Sequence, residues 1–332
     1  MDPTQLFEEV RELMATSIEW TDRTWNPIRG CSRVSEGCRN CYAEAIAARF
    51  SHPGNSFHGF AERTPDGPRW TGDVVLLKDR LLEPLSWKKP ARVFVNSMSD
   101  LFHENLSDEA IDQVFAVMAL SPQHTFQILT KRAERMRDYM LNEDTVTRIE
   151  EQLWEMHTDD TTNAMPIGPL RNVWLGVSVE NQQFADERIK LLLDTPAAVR
   201  FISAEPLLGP INLAEWLFGD CRDCGTAKAA CDGLRRAQRA CCPDCRHRRI
   251  DWVIVGGESG PKARMFDVDW ARAIVAQCKV AGVACFVKQL GADAYESKDE
   301  LLGYLDLKDK KGGDPSEWPA DLRVREYPEA RA

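Results

Sequence analysis

Six short apolar runs recur between residues 92 and 290: RVFVN (92–96), TFQIL (125–129), VWLGVSV (173–179), VRFIS (199–203), WVIVG (252–256) and ACFVK (284–288). They are β-rich and continuous rather than alternating, which is the pattern of strands covered on both faces. Helix-like segments lie between them. SDEAIDQVFAVMAL has Ser107 in place to cap its N-terminus, and DVDWARAIVAQCKVAG closes on Gly282. Strands alternating with helices predict right-handed crossovers and a parallel sheet, so the expected class is α/β. With 332 residues and 43% hydrophobic content, the chain has enough apolar surface for a substantial core.

Each run ends in polar residues on its C-terminal side: Asn96, Ser97, Ser99 and Asp100; Thr130, Lys131 and Arg132; Ser178, Glu180 and Asn181; Ser203 and Glu205; Glu258 and Ser259; Lys288 and Gln289. In parallel barrels that rim is where sites are built, although a strand end also becomes polar simply on reaching solvent. Two irregular stretches, 51–72 and 159–170, read as long loops of the lid type, and KDKKGGDPSEWP (308–319) reads as a solvated surface segment.

The N-terminus MDPTQLFEEVREL carries acidic residues and no apolar signal core, and no stretch approaches the roughly 18 uninterrupted apolar residues of a membrane span. A cytoplasmic protein is expected, with no membrane partner. The net charge of -10 opposes uniform binding to nucleic acid, so any such contact must be local. Eleven cysteines, nine of them in two clusters, fit metal ligation better than a disulfide framework.

The first cluster, WNPIRGCSRVSEGCRNCYAEAIAARF, sets Cys31, Cys38 and Cys41 in a C-x6-C-x2-C spacing, with a helix expected from the third cysteine. Three thiolates from one loop hold three corners of a [4Fe-4S] cubane and leave the last iron open to a small molecule. The alternative is a zinc site completed by a distant His or Cys. Trp20 and Trp25 flank this cluster and read as core packing or as its shield. His52, His58, His103 and His124 lie in no ligand spacing and read as surface or loop histidines.

The second cluster spaces Cys221, Cys224, Cys242 and Cys245 as C-x2-C-x17-C-x2-C, a four-cysteine zinc pattern. Cys231 and Cys241 are surplus and leave an auxiliary iron-sulfur cluster as the alternative. From Cys221 to Ile250 there are eight Arg/Lys against three Asp, the reverse of the whole chain. Arg235, Arg236, Arg239, Arg246, Arg248 and Arg249 are therefore candidates for gripping the phosphates of a nucleic acid or nucleotide, or form a basic face that neutralises the acidic body.

TWNPIRGC…GCRNCYAE, VFVNSMSDLFHE, ILTKR, NVWLGVSVENQ, RFISAEPLLGPI, DWVIVGGESG and FVKQLG together resemble the phage Gp37/Gp68 family, also called DUF5131, over roughly residues 17 to 325. That family is similar in turn to radical S-adenosylmethionine enzymes such as spore photoproduct lyase. The resemblance implies a parallel (β/α) partial TIM-type barrel with a [4Fe-4S] cluster and S-adenosylmethionine at its C-terminal mouth, and an electron-donor protein as partner. From the polar strand-end rim, Asn96, Ser97, Asp100, Ser178, Asn181 and Ser203 are expected to contact the cofactor, and Lys131, Glu180, Glu205, Glu258 and Lys288 to serve catalysis. The sequence departs from the common radical pattern. The first cysteine gap is six residues rather than three, Tyr42 follows Cys41 instead of an aromatic preceding it, and NSMSD (96–100) stands where a Gly-Gly-Glu-like segment is usual.

The expected organisation is an N-terminal extension (1–16), a barrel-like catalytic domain (17–216 and 250–300), a cysteine-rich basic metal-binding insert (217–249) and a C-terminal extension (301–332). The leading functional expectation is a radical enzyme modifying or repairing a nucleobase. A metal-dependent phosphoryl hydrolase would instead use Glu180, Glu205 and Glu258 together on Mg²⁺ or Mn²⁺. A zinc-stapled nucleic-acid-binding protein without catalysis is the third reading. The substrate's identity and the oligomeric state are not legible.

Overall fold

The computed structural model describes residues 16, 18–156, 169–218, 249–298 and 301–328. The fold is mixed α/β, with seven parallel strands flanked by helices. Two compact units divide it: residues 1–34 with 41–175, and residues 35–40 with 176–332.

In the first unit, β1 (Arg23–Trp25), β6 (Arg92–Val95), β7 (Thr125–Thr130) and β8 (Val173–Ser178) follow one another across the sheet; β8 is the strand at which the division falls. The register Thr24↔Phe94↔Gln127 and Trp25↔Val95↔Ile128 turns alternate layers to opposite faces. Both faces are covered, which is why these runs contain no polar alternation. Trp25 is fully buried against Phe126, with ring centroids 5.7 Å apart, and its indole N–H donates to Arg80 O at 2.9 Å. Trp20 packs against Phe94 at 4.7 Å, so both tryptophans are core residues.

Short pairs accompany the main sheet: β2 (Ile28–Arg29) with β5 (Val75–Leu76), and the hairpin β3 (Ala61–Thr64) with β4 (Gly67–Trp70). The hairpin lies inside the 51–72 stretch expected to be loop. Its alternation is too brief to register, and it forms because α1 (Tyr42–Arg49) offers an alanine face. Ala47 and Ala48 pack against Ala61, with Phe57 and Trp70 alongside.

Further helices are α2 (Lys78–Leu81), α3 (Asp108–Ala119), α4 (Ala133–Leu141) and α5 (Thr145–Met156). Ser107 caps α3 as expected, its hydroxyl accepting from Ala110 N at 3.3 Å. Ser107→Ala is expected to cost about 1 kcal/mol, read as a lower urea midpoint at unchanged slope. An unshifted midpoint would show that water replaces the cap without loss.

In the second unit, the order continues from β8 to β9 (Val199–Ala204), β10 (Trp252–Gly256) and β12 (Ala284–Gln289). The intervening helices are α6 (Gln182–Asp194), α7 (Ala214–Phe218) and α8 (Val268–Ala281), the last ending on Gly282 at φ 63° as the sequence predicts. Gly176 lies against the Phe201 ring, where no Cβ would fit. A small sheet of β11 (Phe266–Asp267), β13 (Ala294–Lys298) and β14 (Leu301–Tyr304) completes the unit.

The C-terminal segment is packed rather than merely solvated. Val287 N donates to Val324 O at 2.8 Å and Glu326 N to Cys285 O at 2.9 Å. Trp318 is 2% exposed, its indole donating to Gly312 O at 2.9 Å, so the 308–319 segment is anchored at its end. Among the described residues no helix is long and apolar enough to cross a membrane.

Candidate functional site

The chain enters the cysteine loop from β1 under the control of the residues that follow β6. Asn96, at a positive φ of 61°, donates its N–H to Trp25 O at 2.8 Å and accepts from Ile28 N through Oδ1 at 3.2 Å. Ser99 Oγ donates to Ile28 O at 3.0 Å, and Ser97 Oγ and Met98 N both donate to Asn26 Oδ1 at 3.1 Å. Gly30 then turns at φ 92° with its α-carbon pressed on Asp73 O, a place closed to any side chain. Local geometry therefore delivers Cys31 to the C-terminal end of β6.

Ser32 fixes the next residue. Its hydroxyl accepts from Arg132 Nη2 at 2.7 Å and donates to Glu104 Oε1 at 3.0 Å, and it lies 2.9 Å from His103 Nε2. Because His103 Nδ1 accepts from Asn105 N at 3.1 Å, the proton sits on Nε2 and points at Ser32. Burial, then the charge of Arg132, lowers the His103 pKa and keeps the ring neutral. Arg132 also donates to Asp100 Oδ2 at 3.1 Å and pairs with Glu104. Partial burial works against the charge of Glu104, but the Arg132 hydrogen bond prevails and holds its pKa at about 2. Asp100 accepts in addition from Thr130 Oγ1 (2.7 Å), Phe102 N (3.0 Å) and Lys131 N (3.2 Å). Two strand ends, those of β6 and β7, thus converge on Ser32. Burial works against the charge of Arg132, but Asp100 and the Glu104 hydrogen bond raise its pKa, with Cys31 adding to them.

Residues 35–40 belong to the second unit, where they are held at the ends of β8 and β10. Ser35 Oγ donates to Glu180 Oε1 at 2.7 Å, and Arg188 Nη1 donates to Glu180 Oε2 at 3.0 Å and to Ser178 O at 2.7 Å. Glu180 is fully buried. The α-carbon of Gly37 packs directly on its carboxyl, so a larger residue there would displace it. Glu258 receives a bidentate grip from Arg264, at 2.7 and 3.0 Å, and accepts from Asn40 Nδ2 at 2.9 Å. Burial opposes its charge, yet the hydrogen bonds from Arg264 and Asn40 bring its pKa below the ordinary value. Arg264 reaches on to Glu36 O at 3.1 Å. Each half of the loop carrying Cys31, Cys38 and Cys41 therefore hangs on buried charge at the C-terminal ends of strands.

Residues 15–314 match the model of a family described as a protein of unknown function, DUF5131. The chain belongs to the DUF5131 family. No curated protein and no solved structure matches it.

In this DUF5131 chain Cys31, Cys38 and Cys41 are half-buried, and none forms a disulfide. Cys38 ends a 3-10 turn (Glu36–Cys38), and Cys41 is the N-cap residue of α1 as the sequence suggests. Among the described residues no three His, Cys, Asp or Glu side chains stand together as a metal-holding group. The convergence of Glu180, Glu205 and Glu258 required by the hydrolase expectation is thus not formed. Each carboxylate instead closes its own ion pair, with Arg188, Lys288 and Arg264 respectively, because a buried carboxylate is cheaper paired than clustered.

Other expected site residues have structural partners. Asn96, Ser97 and Asp100 hold the loop as described. Asn181 caps α6, accepting from Phe184 N at 3.2 Å. Ser178 and Ser203 are buried in or at the ends of strands, and Ser203 O accepts from Val179 N at 2.9 Å. Lys131 is half-buried, and its backbone N–H serves Asp100. Cys221, Cys224, Cys242 and Cys245, with Arg235, Arg236, Arg239, Arg246 and Arg248, lie outside the described residues. His103 and His124 are buried rather than surface histidines, whereas His52 and His58 are exposed.

Arg188, Arg264, Asn40, Ser32 and Ser35 are the parts that sequence reasoning missed. No motif announces them, because their partners lie at the ends of other elements.

Proposed function

We propose that this DUF5131 protein is an iron-sulfur enzyme of the radical S-adenosylmethionine kind, acting on a nucleobase in nucleic acid. The observation that carries the reading is three half-buried cysteines, outside any disulfide, on one eleven-residue loop whose two halves are anchored to strand ends. By their chemistry soft sulfur ligands on a short loop suit an anionic iron-sulfur group, although Cys31, Cys38 and Cys41 do not stand together as one group, so binding would have to draw the loop in around it. Cys31, Cys38 and Cys41 would hold it, and when bound it would supply one-electron chemistry to S-adenosylmethionine.

The chain's own residues do the rest. Asp100, Arg132 and Ser32 orient Cys31, while Glu180, Arg188 and Ser35 orient the turn that ends in Cys38. The half-buried Lys288–Glu205 pair at the ends of β12 and β9 offers a charged group to cofactor or substrate. A partial TIM-type barrel suits this arrangement, with a zinc or auxiliary-cluster insert at 217–249 as a nucleic-acid contact and an electron-donor protein as partner.

The test is iron, sulfide and zinc content, with electron paramagnetic resonance after anaerobic reconstitution and reduction, with and without S-adenosylmethionine. The expected result is a reduced cluster signal that S-adenosylmethionine perturbs and Cys38→Ala abolishes. Zinc alone, with no such signal in the wild type, would overturn the proposal and favour a zinc-stapled binding protein.

A further inference from the structure

α1 begins at Tyr42, the residue after Cys41, and shows two unlike faces. Ala47 and Ala48 are buried toward the β3–β4 hairpin, and Ala43 is buried as well. On the opposite side Tyr42, Ile46 and Phe50, at i, i+4 and i+8, are 51%, 41% and 45% exposed. That spacing lines them along one stripe leading from the third cysteine to the helix end. A continuous apolar stripe on solvent loses hydration free energy unless something covers it.

The charge around the stripe identifies the cover. Residues 23–92 carry twelve Lys/Arg against seven Asp/Glu, in a chain whose net charge is -10. The segment that bears the stripe is thus locally basic, as is the 221–250 stretch. The Arg49 guanidinium lies over the Phe50 ring at 5.7 Å, and Arg29 lies over Phe57 at 5.2 Å. The Tyr42 hydroxyl donates to Ser97 O at 2.5 Å, which fixes the ring at the end of β6. The exposed Phe50 ring with its arginine offers a stacking surface for a base and a cation for the adjoining phosphate, the combination that single strands select. An acidic protein partner would be drawn by the same charge, and it is the alternative that the binding experiment separates.

We propose that the Tyr42–Ile46–Phe50 face of α1 binds a single-stranded nucleic acid and leads it to the cysteine loop. The proposal deepens the reading above by fixing its substrate class as a single strand, and it depends on that reading only for the chemistry at the end of the track. Binding itself is a property of the helix face.

The experiment is fluorescence anisotropy of a labelled mixed-sequence single-stranded DNA of about 20 nucleotides, long enough to span one site, with the full chain over a range of salt. Phe50→Ala is expected to weaken binding by about five- to a hundredfold, the loss of one stacking ring. Arg49→Glu is expected to flatten the salt dependence by about one to two phosphates. Both positions are exposed, and an unchanged near-ultraviolet circular dichroism spectrum confirms the fold.

Unchanged binding in both variants would overturn the proposal. So would loss of binding only on charge reversal of Arg235, Arg236 and Arg239. Intact DNA binding with slowed reduction by an acidic flavoprotein, but not by dithionite, would assign the stripe to a protein partner and equally overturn it. Failure of the iron-sulfur reading looks different: a wild type that takes up no iron yet binds DNA through Phe50.

Discussion

Glu180→Ala is expected to lose about 3–5 kcal/mol of stability and to free Cys38 without freeing Cys31. Arg188 is 5% exposed and has its charge neutralised by Glu180, which is itself fully buried. Removing the acid leaves a buried guanidinium with Ser178 O as a hydrogen-bond partner but no counter-charge among the described residues. The same carboxylate accepts from Ser35 and backs Gly37, so the turn ending in Cys38 loses both its tether and its floor. Urea denaturation reads the global loss. Iodoacetamide labelling of the metal-free chain, followed by peptide mapping, reads the local one, and Cys38 should label on the order of tenfold faster. Glu180→Gln, which keeps an acceptor for Ser35 and drops the charge, should fall between. A stability loss with unchanged Cys38 labelling would show that the ion pair braces α6 alone.

Asp100→Ala is the counterpart in the first unit. Its carboxylate gathers Thr130, Lys131 N, Phe102 N and Arg132, and Arg132 in turn holds Ser32. The arginine keeps Glu104, so the expected cost is smaller, roughly 2–4 kcal/mol. The local signature is reversed: Cys31 should label faster while Cys38 does not. Equal acceleration of both cysteines in either variant would mean that the loop opens as one body, and the separate anchoring of its halves would be wrong.

These two substitutions also bear on how the loop is read. Glu180 drew attention in the sequence as a polar residue at a strand end, and so did Asp100. Both do sit at the C-terminal rim, where such residues were expected to meet a ligand. In the fold they also meet an arginine and the cysteine loop, which makes them positioning residues for the thiolates in the reading proposed here.

The six long strands, the Ser107 cap and the Gly282 stop were set by the sequence alone, because each depends on residues within a few positions. Burial on both faces demands unbroken apolar runs, a helix start needs a side-chain acceptor, and a left-handed residue favours glycine. The cysteine spacing was likewise legible, since three thiols within eleven residues are kept on one stretch of chain by the sequence itself, although the fold does not bring them together as a group. The three-residue β1 and the β3–β4 hairpin were too short to show a period, and they exist because neighbouring elements pair with them. The anchors of the loop depended on the tertiary structure entirely. Ser35 and Glu180 are 145 residues apart, and Asn40 and Glu258 are 218 apart. Hydrogen bonds and ion pairs act over a few ångströms of space, so which buried acid meets which donor is decided only when the strands have brought their ends together.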